Sequence, residues 1–206
     1  GGTMQDARNV ITSLKRAFTA KVQPAGAMVP VVVSHAERAR REGLLALEDS
    51  LKDIDDPFLV KGVTMAIDGT DPEEVRDILE SEVYAKKSED KHAAKFFADA
   101  GAYSPTIGII GTVMGLVHVL EQLAQPEKLG HLIAGAFVAT LWGVMLANVV
   151  WFPLSNRLKR LSSLETARME MAIEGIAAIQ AGSNPRLVAE KLRSLVPADQ
   201  QDREAA

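Results

Sequence analysis

Apolar and polar positions alternate with a helical period along most of the chain, and twice the polar half of the pattern disappears. Formal charges stop from Ala100 to Leu120 and again from Leu129 to Asn156, with only Glu121, Glu127 and Lys128 between the two blanks. Each blank supplies the roughly 20 apolar residues an α-helix needs to cross a bilayer, so the pattern predicts two membrane helices. The alternative is a pair of helices buried on every side in a soluble bundle. Tyr103 near the start of the first blank, and Trp151 and Phe152 near the end of the second, stand where interfacial rings are expected; Trp142 lies deeper.

The remainder reads as amphipathic helix with explicit punctuation. From about Gln5 to Phe18, Val10, Ile11, Leu14 and Phe18 share one face. A second helix opens near Ala27 with Val29, Val31 and Val32, runs through the polar stretch Ser34 to Glu42, and is interrupted by Gly43. Leu44, Leu45, Leu47 and Leu51 then resume an apolar spacing. Asp56-Pro57 reads as an N-cap followed by proline at the first helical position, and Gly69 closes the helix it opens. Asp71-Pro72-Glu73-Glu74 repeats that start signal with an acidic residue in capping-box position, and no stop follows before Pro105. The first span is therefore predicted to continue a long cytoplasmic helix. After the second span, Leu158, Leu161, Leu164 and Met171 keep helical spacing to about Gln180, and a last short helix follows the Gly182-Ser183-Asn184-Pro185 break.

The predicted fold is all-α: a membrane protein with two transmembrane helices extended by long cytoplasmic helices, plus a small cytoplasmic helical domain. Its expected divisions are a cytoplasmic helical domain over 1–99, a transmembrane helix over 100–124, a periplasmic turn over 125–131, a second transmembrane helix over 132–156 and a cytoplasmic helical tail over 157–206. Lys86, Lys87, Lys91 and Lys95 precede the first span and Arg157, Lys159 and Arg160 follow the second, against Lys128 in the turn, so both ends are expected on the cytoplasmic side.

Composition narrows the chemistry. The 206 residues carry a net charge of −4 and only 5% aromatics, which argues against a nucleic-acid partner. There is no cysteine, so thiolate nucleophiles, thiolate zinc sites and iron–sulfur ligation are excluded. The four histidines show no metal-ligand spacing; His118 and His131 flank the turn between the spans and read as hydrated interfacial residues rather than ligands. No catalytic residue, metal site or cofactor is expected, and the chain does not read as an enzyme.

The spans carry detail that an anchor does not need. Pro105, Gly108, Thr112 and Gly115 follow one another at three, four and three residues and share a narrow helical arc, with Gly111 and Gly115 forming a small-xxx-small pair. Ala136, Thr140, Gly143 and Ala147 fall on one arc of the second span. Two small-residue faces predict close helix packing. Thr112 and Thr140 either line a polar path there or bond back to their own helix carbonyls. Neither span holds a carboxylate or a lysine, so a titrating group on an ion path must come from another chain.

Ala102-Tyr103-Ser104-Pro105-Thr106-Ile107-Gly108-Ile109-Ile110-Gly111-Thr112-Val113-Met114-Gly115-Leu116-Val117 resembles the third membrane helix of MotA-type flagellar stator subunits, within the MotA/TolQ/ExbB family. Gly130-His131-Leu132-Ile133-Ala134-Gly135-Ala136-Phe137-Val138-Ala139-Thr140-Leu141-Trp142-Gly143 is similar to the fourth. Ile67-Asp68-Gly69-Thr70-Asp71-Pro72-Glu73 and the run from Ile173 to Arg186 resemble MotA-type cytoplasmic segments, and the likeness extends from about Met4 to Pro197. Family members have four membrane helices, so the resemblance implies a chain that begins past the second.

The family's properties follow as expectations. The resemblance implies a multi-pass protein of the bacterial inner membrane that forms a pentamer around a MotB dimer, whose aspartate carries H+ or Na+. Ion entry would turn the pentamer against the rotor protein FliG. It assigns the ion path to Thr112 and Thr140, conformational coupling to Pro105 and Pro153, and rotor contact to Arg40 and Glu48, which flank Gly43 in the register of the family's charged pair. Hydroxyls at both levels suit sodium. The bland readings are a solvated charged helix face for Arg40 and Glu48, crowded by Glu37, Arg38, Arg41, Glu42 and Asp49, and a fixed kink for each proline. An ExbB- or TolQ-like motor energising outer-membrane transport, or a passive membrane-anchored scaffold, are the competing functions.

Overall fold

A computed structural model describes residues 4–20 and 23–196. Among the described residues the chain is helical without strands: α1 (Met4–Thr19), α2 (Met28–Glu42), α3 (Pro57–Ile67), α4 (Pro72–Glu121), α5 (Pro126–Leu146), α6 (Phe152–Gln180) and α7 (Pro185–Leu195). Short 3₁₀ segments cover Ala25–Ala27 and Leu44–Asp53, and a π-helical turn covers Ala147–Trp151.

The start signals act as read. Asp56 Oδ1 accepts from the backbone N–H groups of Phe58 at 3.0 Å and Leu59 at 3.2 Å, a cap worth about 1 kcal/mol. Asn184 Oδ1 accepts from Arg186 N at 3.0 Å, and Pro185 occupies the first position of α7. Asp71 Oδ1 accepts from Glu73 N at 2.9 Å, opening a 50-residue helix that runs through Pro105 without ending. The long-helix expectation therefore stands on both sides: α4 carries the first apolar blank, and α5, the π turn and α6 together form 55 continuous helical residues carrying the second.

Three local features depend on the backbone. Leu44–Asp53 is a 3₁₀ helix, in which residues three apart eclipse: Leu47 and Ser50 turn inward, and Ser50 Oγ donates to Leu47 O at 2.8 Å. Between the two apolar helices the backbone leaves helical geometry over residues 122–125. α4 ends at Glu121, and α5 starts at Pro126, because Gln125 (φ −125°, ψ 73°) breaks the backbone and proline fits a first helical position that needs no N–H. The second span is not uniformly α-helical either: Pro153 offers no N–H to Val149 O, and the chain widens into the π turn just before it.

The contacts divide the chain into two compact units. One comprises residues 23–89 and 161–196. Its core joins Val32 and Ala36 of α2, Leu59 and Val63 of α3, Val75 and Leu79 of α4, Ile176 and Ile179 of α6 and Leu192 of α7. Burying each of the larger side chains stabilises the unit by about 1.5–3 kcal/mol. Arg168 Nε pairs with Asp56 Oδ2 at 3.0 Å, and Lys86 with Glu165 at 2.6 Å, tying α6 to the start of α3 and to α4.

The other unit comprises residues 4–20 and 90–160. Ala17 of α1 packs against Ala94, Phe97, Leu154 and Leu158, Ser155 Oγ donates to Ala94 O at 2.8 Å, and Arg16 pairs with the buried Asp90. Trp151, expected as an interfacial ring, is half-buried and stacks on Phe97 with centroids 6.3 Å apart. In the two apolar blanks the pattern is inverted relative to a soluble core. Small residues face inward, whereas Ile107, Ile109, Val113, Val117, Phe137 and Leu141 are exposed. Two helices each long and apolar enough to cross a membrane, with only 11% of their apolar windows buried, do not fit the buried-bundle alternative.

Candidate functional site

The small-residue arcs of α4 and α5 face each other. A Cβ placed on Gly108 would stand 2.9 Å from Ala139 O and 3.1 Å from Thr140 Cα, and one on Gly143 would stand 2.6 Å from Ser104 O and 3.1 Å from Gly108 Cα. At Gly115 a Cβ would meet Ala136 Cβ at 2.7 Å. Such approach requires glycine, and it brings the backbones close enough for side-chain hydroxyls to cross between helices.

Thr112 and Thr140 make that crossing. Their hydroxyls hydrogen-bond to each other. Thr112 Oγ1 also reaches Ala136 O at 2.8 Å, the carbonyl four residues before Thr140, while Thr140 Oγ1 reaches Gly108 O at 3.3 Å, the carbonyl four residues before Thr112. Each threonine thus addresses the carbonyl that the other would use for back-bonding. Thr112 keeps a longer contact to its own Gly108 O at 3.2 Å, so the back-bonding alternative describes the weaker of its two backbone contacts. Two hydroxyls carry two protons but four lone pairs, and at most one lone pair is used in the mutual bond. Both oxygens keep acceptor capacity, the property needed to accept a hydrogen bond from water or from a protonated carrier, or to ligate a hard cation.

The two prolines sit beside this pair of helices at a contact the sequence did not disclose. Pro105 is half-buried within α4 and Pro153 is exposed in the first turn of α6. Gly101, four residues before Pro105, takes the ring of Phe152, the neighbour of Pro153; a Cβ on Gly101 would stand 2.8 Å from Phe152 Cε1. Ser104 Oγ donates to Ala100 O at 2.7 Å in the same turn. Asn148 lies within the π turn, exposed, its Nδ2 donating to Val144 O at 2.9 Å. A lone amide in an apolar run ahead of a proline was the available signal for this irregular turn.

Arg40 and Glu48 lie in the other unit. Arg40 is exposed in the last turn of α2 and Glu48 is exposed in the 3₁₀ segment, on either side of Gly43, whose φ of 89° ends α2. Among the described residues neither has an ion-pair partner, whereas Arg38 pairs with Glu42 at 3.2 Å. One electrostatic cluster of this unit, which sequence reading passed over, joins α4, α6 and α7. Glu174 accepts from Lys191 Nζ at 2.5 Å and from Arg76 at 2.8 Å; these bonds hold its carboxyl below the usual carboxylate range, and the Glu174 bond raises the Arg76 guanidinium.

The model of the MotA/TolQ/ExbB proton channel family matches residues 50–171, from the 3₁₀ segment through both apolar helices into α6. The chain belongs to this family. Among family members, it is 43% identical over 171 residues to Motility protein A of Bacillus subtilis, covering 83% of this chain and 63% of that protein. It is 32% identical over 179 residues to the chemotaxis protein PomA of Vibrio alginolyticus, covering 87% of this chain and 70% of that one. The chain thus spans about two thirds of the length of these relatives. Its fold is similar to a chain of the flagellar MotAB stator complex from Bacillus subtilis, with a TM-score of 0.90 at 38% identity, covering 100% of this chain and 81% of that one. A chain of the C. jejuni MotAB structure also gives a TM-score of 0.90, at 28% identity, covering 96% and 77%.

Proposed function

We propose that this chain is the transmembrane and rotor-facing part of a flagellar stator subunit, which couples H+ or Na+ flow across the bacterial inner membrane to rotation. In this reading it works in an oligomer, a pentamer, around MotB, and drives FliG; it is a transducer rather than an enzyme. Kinship with Motility protein A and PomA supports the reading, as do the MotAB complexes among its structural neighbours.

The observation that carries it is the hydroxyl pair. Thr112 and Thr140 meet between the two apolar helices, one turn from the close approach of Gly108 and Gly143, in segments without any carboxylate or lysine of their own. A carboxylate brought by MotB to this level meets two oxygens with spare lone pairs. One elementary charge moving through 100 mV releases about 2.3 kcal/mol, enough to bias a switch between two packings of the helices. Pro105 and Pro153 are the pivots of that switch, because each removes a backbone bond that would resist bending. Arg40 and Glu48 transmit the movement to the rotor through complementary charge, which steers docking more than it holds it.

The test is torque measured on full-length stators across a range of sodium concentration and pH. Membrane side-chain hydrogen bonds average about 0.6 kcal/mol, so Thr140→Ala is expected to leave assembly intact while greatly reducing torque, with Thr112→Ala acting in the same direction. Normal torque in both variants under all conditions would reduce the hydroxyls to packing residues.

A further inference from the structure

Pro105 and Pro153 each leave backbone carbonyls without their helical donors, and they do so at one level of the helix pair. Pro105 has no N–H for Gly101 O, four residues before it. Ahead of Pro153 the loss is larger. In the π turn Phe152 N–H reaches back five residues to Ala147 O rather than four to Asn148 O, and Pro153 at the next position has none to offer. Asn148 O is thus passed over by both N–H groups that could close a turn on it. Gly143 lies against Ser104 and Phe152 against Gly101, so Asn148, between Gly143 and Phe152 in sequence, stands opposite the turn from Gly101 to Ser104. Gly101 is buried beneath the Phe152 ring, which leaves Asn148 as the accessible member. Its side chain adds a second oxygen: Nδ2 donates to Val144 O at 2.9 Å, whereas Oδ1 has no donor among the described residues. No other side-chain oxygen occurs between Thr140 and Ser155.

We infer that Asn148 is a second station for the permeating cation, where its Oδ1 and its own backbone carbonyl take a hydrated monovalent cation, hydronium or sodium, after the Thr112–Thr140 pair. The station rests on the ion path proposed above and adds a site to it. Eight residues, about 12 Å of helix, separate Asn148 from Thr140, toward the end of the span that Arg157 and Lys159 follow. One ion therefore cannot touch both levels. Polar groups without partners are costly in hydrocarbon, and irregular backbone at membrane depth is tolerated only where it is buried in protein or lines a water-filled cavity. Asn148 is exposed on this chain, and both of its open positions are acceptors, which suits water and the cation it carries. Neutral oxygens also hold a cation weakly enough to release it onward, as a conducting path requires.

The experiment induces the full-length protein with its MotB-type partner in cells lacking their own stators. It reads ion entry, as the change in cytoplasmic pH or sodium on induction, and torque, each per assembled complex counted by size exclusion. Asn148→Leu, which removes the amide at similar volume, should lower ion entry and torque together about tenfold, the scale of one lost hydrogen bond to a charged group, with the amount of complex unchanged. Asn148→Ser, which keeps a neutral side-chain oxygen, should recover most of both. The indicator that responds tells hydronium from sodium. Thr140→Ala serves as the control for the ion path itself. Normal ion entry in Asn148→Leu together with reduced entry in Thr140→Ala overturns the station and leaves the path standing. Normal entry in both overturns the path as well. Less complex in Asn148→Leu, with normal entry through what assembles, overturns the station in favour of a helix contact with another chain. Torque lost at normal ion entry overturns it in favour of a role in movement of the π turn.

Discussion

Glu174 receives two cations, Arg76 from 98 residues away and Lys191 from 17, and its carboxyl is held below the ordinary carboxylate range chiefly by the Lys191 bond. A depressed carboxyl contributes stability that is present above its unfolded pKa, about 4.3, and is lost as pH falls through the lower folded value. Glu174 is about one-fifth exposed and its partners more so, so the contribution at neutral pH is about 1 kcal/mol. Glu174→Gln should therefore lower the thermal stability of the solubilised protein at pH 7, with the gap to the unsubstituted protein closing below about pH 4. A gap of equal size at both pH values would mean that packing, not charge, is lost. The network was not legible in the sequence, because nothing local to Glu174 announces partners on α4 and α7. Thr112 and Thr140 were legible for the opposite reason: each repeats its small neighbours at three- and four-residue spacing, and that periodicity specifies a face without knowledge of the partner helix.

Element boundaries followed the same division. Where a boundary is written in a cap, as at Asp56-Pro57, Asn184-Pro185 and Gly43, the helix starts or stops there. Where it depends on how the backbone answers a proline or a buried row, the periodic pattern gave the wrong helix type, as in the 3₁₀ segment Leu44–Asp53 and the π turn Ala147–Trp151. The 3₁₀ segment holds Glu48, and the π turn ends two residues before Pro153. An interior proline costs a helix about 3 kcal/mol, so its presence at 105 in a 50-residue helix is a standing weakness in an otherwise continuous ladder. Pro105→Leu restores an N–H toward Gly101 O and should raise or preserve the amount of assembled complex while lowering torque per stator unit severalfold. Assembly and torque falling together in proportion would identify the proline as a fixed kink. Size-exclusion profiles of the solubilised complex and single-motor torque steps separate the two results.

For the molecule as a whole, the sequence features that stand out are the exposed apolar faces of α4 and α5 with the hydroxyl pair between those helices, and, in the other unit, Arg40 and Glu48, without ion-pair partners among the described residues. In the proposed function, ion flow past the Thr112 and Thr140 hydroxyls becomes rotation. The most direct measurement is the speed of a bead on a flagellar motor in cells lacking their own stators, while the full-length protein and its MotB-type partner are induced. Speed should rise in steps as units join, fall to zero within the time needed to collapse the driving proton or sodium gradient, and return when the gradient is restored. A motor that stays still while the complex is present in the membrane, or that turns at unchanged speed without an ion gradient, would contradict the proposed function.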